Sequence, residues 1–277
     1  MRVQEQDRWS RPMRISHITE RLLSRPYRVF SLGDLAREMN VARSTVSEDV
    51  SIIREVFRRT GVGAVETLSG ATGGVRLKLI PSPEQRCAVT EQLIQELKDP
   101  RRILPGGFLY MTDIIFSPRW GEILGAYFSH IFAPYDPDYV VTIETKGIPL
   151  ALMTARALNR PLVLIRRNSR VTEGSSVNIN YVSGSSSRIQ TMSLPRRAIE
   201  SGKSAVVVDD FMRGGGTARG ACDLLDEFDV RVMGIGVVAV TDVPEQKRVP
   251  DYASLVQVSF DSGEGHVDVR STAPQVT

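Results

Sequence analysis

The chain has 277 residues, a length that suits two domains at roughly 150 residues each, and its 42% hydrophobic and 24% charged content is that of an ordinary globular protein. No run nears the roughly 18 consecutive apolar residues of a membrane span, the opening MRVQEQDRWSRPMR lacks the apolar stretch of a secretory leader, and only two cysteines and three histidines lie scattered along the chain. A disulfide framework and a zinc site are therefore not expected, and a reducing cytoplasm is.

The net charge of +3 is unevenly placed: residues 1–80 carry 14 Lys/Arg against 9 Asp/Glu, while the remainder carries 21 against 23. A basic first part on a nearly neutral second part suggests a polyanionic partner for the first, although a solvated basic surface has the same composition. Residues 14–27 set Ile15, Ile18, Leu22 and Leu23 on one helical face. A second helix is predicted over 31–40, with Ser31 and Asp34 at capping-box-like spacing and Leu32, Leu35, Ala36 and Met39 facing inward. After a short turn at 40–42 a third helix, 43–59, buries Val46, Val50, Ile53 and Phe57.

Two helices joined by a tight turn follow helix-turn-helix logic, with Arg43, Ser44, Thr45, Ser47 and Arg54 on the face that would enter a major groove. Glu48 and Asp49 either orient a neighbouring arginine or accept from a cytosine amino group. Strands at 62–68 and 75–80 around SGATGG form a wing, with Arg76 and Lys78 available for phosphates, and Arg2, Arg8, Arg11 and Arg14 surround Trp9 in an arm. A bare three-helix packing unit would share the helical pattern; the hairpin and the basic excess favour duplex DNA.

Pro81 and Pro83 close this domain, 1–80, and the second domain is expected to span 81–277, beginning with a linker helix at 84–98 whose stripe is Ala88, Leu93, Ile94 and Leu97. Beyond residue 100 the pattern becomes α/β. Apolar strands at 139–143, 161–165, 204–210 and 232–240 alternate with helices at 148–159 and 216–228, the signature of a parallel sheet covered on both faces. Residues 168–188 are polar and rich in Ser, Asn and Gly, a loop or an extended hairpin with Arg166, Arg167 and Arg170 at its start.

The sharpest signal is VVVDDFMRGGGT, 206–217. A buried strand ends in two adjacent carboxylates, then a glycine-rich loop leads into a helix. Backbone N–H groups of such a loop turn around a phosphate at the helix N-terminus, and Asp209 and Asp210 can accept from the two hydroxyls of a ribose. Packing alone does not call for consecutive carboxylates.

This motif resembles the phosphoribosyl pyrophosphate (PRPP) motif of type I phosphoribosyltransferases. The resemblance implies that Asp209, Asp210, Phe211, Met212, Arg213, Gly214, Gly215, Gly216 and Thr217 hold the sugar phosphate. It also makes TIETKGIPLA, 142–151, a pyrophosphate loop in which Thr145, Lys146 and Gly147 meet the diphosphate and a strained non-proline peptide is common. Arg213 stands where some enzymes place an acidic base, and Gly214 where many carry Thr or Ser; a cation at 213 cannot take a proton from a nucleobase.

In order, the winged helix, the linker helix, RRILPGGFLYMTDI (101–114), ETKGIPLA, the 171–194 stretch and VVVDDFMRGGGT resemble the Gram-positive type of purine operon repressor over nearly the whole chain. That resemblance implies a homodimer that represses purine biosynthesis and transport genes, is released from operator DNA by PRPP and is not an enzyme. Guanosine tetraphosphate is implied as a competitor in the same pocket, no cofactor is tightly bound, and any magnesium arrives on the diphosphate because no protein cage for it is visible. An aromatic pocket residue would fall on Phe108 or Tyr110. An active purine phosphoribosyltransferase carrying a DNA-binding domain is the alternative, while an RNA-binding regulator fits poorly, since a recognition helix cannot enter the narrow major groove of A-form RNA.

Overall fold

The computed structural model describes residues 9–70, 73–104, 108–168, 172, 174–182, 189–260 and 267–272. Along the chain the division into two compact units falls between Ser82 and Pro83. Arg2, Arg8 and Arg170, together with much of the Ser/Gly-rich segment, lie outside the described residues.

The first unit contains α1 (Arg11–Ser24), α2 (Leu32–Glu38), α3 (Arg43–Thr60) and the hairpin β1 (Ala64–Leu68) and β2 (Gly74–Lys78). Pro26 stops α1 three residues before the expected end, and Leu23 is exposed while Ile18 and Leu22 are buried. The Ser31 side chain caps α2 by accepting from the Gly33 and Asp34 N–H groups. Asn40 takes the left-handed conformation that turns the chain into α3, and Gly61 closes α3 the same way. Leu32, Leu35, Ala36 and Met39 of the α2 segment meet Val46, Val50, Ile53 and Phe57 of α3 in one core with Val65, Val75 and Leu77 of the hairpin. Phe30 forms an isolated antiparallel bridge with Val75, tying the segment before α2 to the wing. This is a winged helix.

The second unit is built on a six-stranded sheet. In chain order it adds α4 (Pro83–Leu97), the short hairpin β3 (Ile103–Leu104) and β4 (Phe108–Leu109), α5 (Thr112–Ile115), α6 (Pro118–Phe132), β5 (Tyr139–Ile143), α7 (Gly147–Leu158) and β6 (Leu162–Ile165). A second hairpin follows, β7 (Ser176–Val182) and β8 (Ile189–Pro195), then β9 (Ser204–Met212), α8 (Gly216–Asp226), β10 (Arg231–Thr241), β11 (Ala253–Phe260) and β12 (Val267–Ser271). The sheet order is β12-β11-β10-β9-β5-β6, all parallel except the β12 edge.

Alternate strand residues face opposite layers. On one side Val141, Ile143, Val207, Ile235 and Val237 pack with Ala221, Leu224 and Leu225 of α8 and with Tyr181, Met192 and Leu194 of the β7–β8 hairpin. On the other, α6 lies so close to β10 that a Cβ on Gly236 would stand 2.7 Å from the Phe128 ring.

The structure departs from the sequence reading in several details. The 84–98 helix is present as α4 and contacts β11 and β12; Thr90, Leu93 and Leu97 are buried, whereas Ala88, expected in its apolar stripe, faces solvent. Helix α6 was not read from the sequence, and strands β11 and β12 were missed because ASLVQVSF and VDVRS alternate instead of forming continuous Val/Ile runs. Strand β9 also runs two residues further, to Met212, carrying both acids inside the sheet.

Candidate functional site

At the C-terminal ends of β5 and β9 lies a cavity of about 320 Å³. Its floor is apolar, from Ile143, Val207, Ile235 and Val237, and its walls are Glu144, Thr145, Lys146, Arg167 and the whole of Asp209–Ala218. Two parallel strands ending side by side make this opening, the expected ligand position in such a sheet.

The glycine loop supplies donors. Among the described residues the N–H groups of Gly214, Gly215, Gly216 and Thr217 meet no acceptor, and those of Thr145, Lys146 and Gly147 meet none either. Gly215 has φ +75°, which turns the loop into α8 and leaves it without a side-chain cap. The six of these donors that belong to lining residues, the N-terminus of α8 and the Lys146 and Arg167 side chains therefore surround one opening, an arrangement suited to phosphate groups. The Glu144–Thr145 peptide is cis.

The acids are the counterweight. Burial, and then the adjacent Asp210, push the Asp209 carboxyl well above the usual range. Burial raises Asp210 too, against the opposing pull of Asp209 and Lys146. Asp209 Oδ1 accepts from the Asp210 N–H at 2.9 Å. Backbone N–H groups reach the two desolvated carboxylates, and sugar hydroxyls would add further donors. Among the described residues no group of three or more His, Cys, Asp or Glu could hold a metal ion.

Nearly every residue assigned to the pocket from sequence lines it, with two corrections. Tyr110 does not: its N–H and C=O are both tied to Arg102, and it is Phe108, 47% exposed, that faces the cavity. Gly147 does not line it either; it stands behind Asp209 and lets the two loops approach. Arg167 and Glu144 were not assigned to the pocket. Glu144 accepts from the Arg167 N–H at 2.7 Å and the Arg166 guanidinium at 3.5 Å, which anchors the start of the polar segment beside the acids.

In the winged helix, α3 begins without a side-chain cap, so its first amides face outward beside exposed Arg43, Ser44 and Ser47 and half-buried Thr45. Other expected contacts are occupied within the domain. Arg54 donates to Val65 O at 3.1 Å and Thr67 Oγ1 at 2.5 Å, fastening α3 to the wing. Arg76 and Lys78 both pair with Glu66, at 3.0 and 2.7 Å. Burial raises the Glu66 carboxyl, but these two cations outweigh it and hold the net value low. Arg11 and Arg14 belong to α1 and not to an arm. Both reach Asp49, which is 1% exposed, at 3.5 and 2.6 Å. Asp49 thus orients arginines and is not free to read a base.

Residues 10–79 match the bacterial purine repressor N-terminal family, and residues 118–272 match the phosphoribosyl transferase domain. The purine biosynthesis transcriptional repressor PurR of Bacillus subtilis is 43% identical over 254 residues, covering 91% of this chain and 88% of its own. The chain belongs to the PurR family. A second PurR, the purine biosynthesis transcriptional activator of Lactococcus lactis, is 37% identical over 93% of this chain and 95% of its own. Among solved structures, adenine phosphoribosyltransferase from Rhodothermus marinus superposes with a TM-score of 0.53 at 21% identity, covering 61% of this chain and 99% of that one, which establishes the fold of the second unit. As PurR-family membership implies, the two units join a winged helix to a phosphoribosyltransferase fold in one chain.

Proposed function

We propose that this protein is a DNA-binding repressor of purine biosynthesis and transport genes that PRPP releases from its operator. The observation that carries the effector half is the juxtaposition of Asp209 and Asp210 with the unpaired amides of Gly214–Thr217 and the Lys146 side chain around one cavity. The carboxylates accept from the ribose diol, the glycine loop takes the 5′-phosphate, and the Thr145–Lys146 loop takes the diphosphate, with magnesium carried in on it. Guanosine tetraphosphate, which also bears a diphosphate on a ribose, competes for the same donors and favours the DNA-bound state. Repression and not activation is favoured by the higher identity to the Bacillus subtilis repressor than to the Lactococcus lactis activator.

The protein acts as a cytoplasmic homodimer, and the duplex is read by Arg43, Ser44, Thr45 and Ser47 at the start of α3. Arg213, which offers no base for a purine proton, weighs against turnover. By linkage, PRPP weakens operator binding by the same factor as operator weakens PRPP, typically about 1–3 kcal/mol. Titration of operator DNA with and without PRPP and magnesium tests this, and identical affinities would overturn the switch. A 29% identity over 150 residues to a Deinococcus deserti xanthine phosphoribosyltransferase keeps catalysis as a second reading. Release of pyrophosphate from PRPP with adenine, guanine, hypoxanthine or xanthine would support it.

A further inference from the structure

We propose that Thr241, which lines no part of the cavity, is a positioning residue that aims the amide donors of the glycine loop. Thr241 ends β10 and is buried. Its Oγ1 lies 2.8 Å from Val243 O and 3.2 Å from Arg213 O, so its single proton is shared between the neighbouring carbonyl and the back of the loop. One residue further along that loop, the Arg248 N–H donates to Gly214 O at 3.0 Å.

In a planar trans peptide the C=O and N–H point in opposite directions. The two peptides concerned are trans, the cis bonds among the described residues being Glu144–Thr145 and Val243–Pro244. Drawing the carbonyls of Arg213 and Gly214 backward therefore turns the N–H groups of Gly214 and Gly215 forward, toward the cavity they line. The backing segment is itself held. Lys247 Nζ donates to Thr241 O at 2.7 Å and Pro244 O at 2.5 Å, and Val249 is buried in the core. A Cβ on Gly215 would stand 3.1 Å from Arg248 N, so the loop lies directly against this support. Preorganised donors bind an anion without first being turned, and a loop released from behind loses that advantage.

The inference rests on the reading of the loop as the phosphate site, and the test separates the two. Full-length wild type, Thr241→Val and Thr241→Ser are compared by calorimetry with PRPP and with inorganic pyrophosphate, each with magnesium, and by the ¹H–¹⁵N resonances of Gly214 and Gly215 in the free protein. Thr241→Val, isosteric but without the hydroxyl, is expected to weaken both ligands by about tenfold and to move both resonances. Thr241→Ser, which keeps the hydroxyl, is expected to stay within about twofold of wild type with the resonances in place.

Wild-type binding by Thr241→Val, or unmoved resonances, would overturn the proposal. Should Thr241→Val not fold, a tenfold loss in folded Thr241→Ser overturns it equally. If wild type binds neither ligand, the effector reading fails, while the resonances still decide whether Thr241 orients the amides.

Discussion

A Cβ on Gly147 would stand 2.5 Å from Asp209 Oδ1 and 2.5 Å from Thr142 Oγ1. The loop that follows β5 and the acids near the end of β9 share one cavity because residue 147 has no side chain. Gly147→Ala must displace the Asp209 carboxylate or the buried Thr142 hydroxyl. Overpacking of this kind typically costs about 1–3 kcal/mol. PRPP affinity should fall by about tenfold, equivalent to about 1.4 kcal/mol, with operator affinity in the absence of PRPP unchanged. Calorimetry beside a DNA titration measures both, and full PRPP affinity in Gly147→Ala would contradict the geometry.

The acidic pair makes stability depend on pH. Burial and Asp210 raise the folded-state pKa of Asp209 above its unfolded value. The stability linked to its proton is thus complete below the unfolded pKa and lost as pH rises through the folded one. Asp209→Asn carries no charge to bury, so it should melt above wild type at pH 8, by roughly 2–4 °C for each kcal/mol relieved. The gain should shrink toward about pH 4, the ordinary carboxylate range. Parallel melting curves from pH 4 to 8 would refute this.

Hairpin β7–β8 is seated on α8 at Gly220, where a Cβ would lie 2.9 Å from both Cβ and Cγ of Tyr181. Those atoms are close to the backbone and cannot swing away, so Gly220→Ala should lift the hairpin. Amide exchange of 176–182 and 189–195 is expected to quicken while the sheet strands keep their protection. Unchanged exchange in the hairpin would show that Tyr181 yields.

In the winged helix, Asp49 joins α3 to α1 through Arg14, whose side chain is 12% exposed. Breaking a buried pair by removing one partner typically costs about 3–5 kcal/mol. Asp49→Ala should destabilise the first unit by about 3 kcal/mol, with the Arg14 guanidinium left half-satisfied by Trp9 O. Denaturant titration followed by Trp9 fluorescence reads it. A cost below about 1 kcal/mol would mean that the clamp contributes little.

The two classes of basic residue should separate in DNA binding. Arg43 is exposed and makes no ion pair among the described residues, whereas Arg76 is already held by Glu66. Arg43→Ala should lower the slope of log affinity against log salt by about 1, as expected for one lost phosphate contact. Arg76→Ala should change it less. A larger effect at Arg76 would show that duplex DNA pulls it away from Glu66.

Much of the architecture was legible because its signals are local. Buried parallel strands are continuous apolar runs, α2 and α3 bury residues at helical spacing, and two acids before a glycine loop form one contiguous motif ending at a helix start. The alternating strands β11 and β12 lack that signature, since their surroundings and not their composition make them part of the sheet.

Which polar groups remain unspent was decided by the tertiary structure. Glu66 takes up Arg76 and Lys78, Asp49 takes up Arg14 across 35 positions, and Thr241 reaches Arg213 across 28. A sequence shows which side chains can donate or accept. Only folding brings distant partners within hydrogen-bond range, and those pairings leave the glycine-loop amides unspent beside the acids while drawing the wing cations inward.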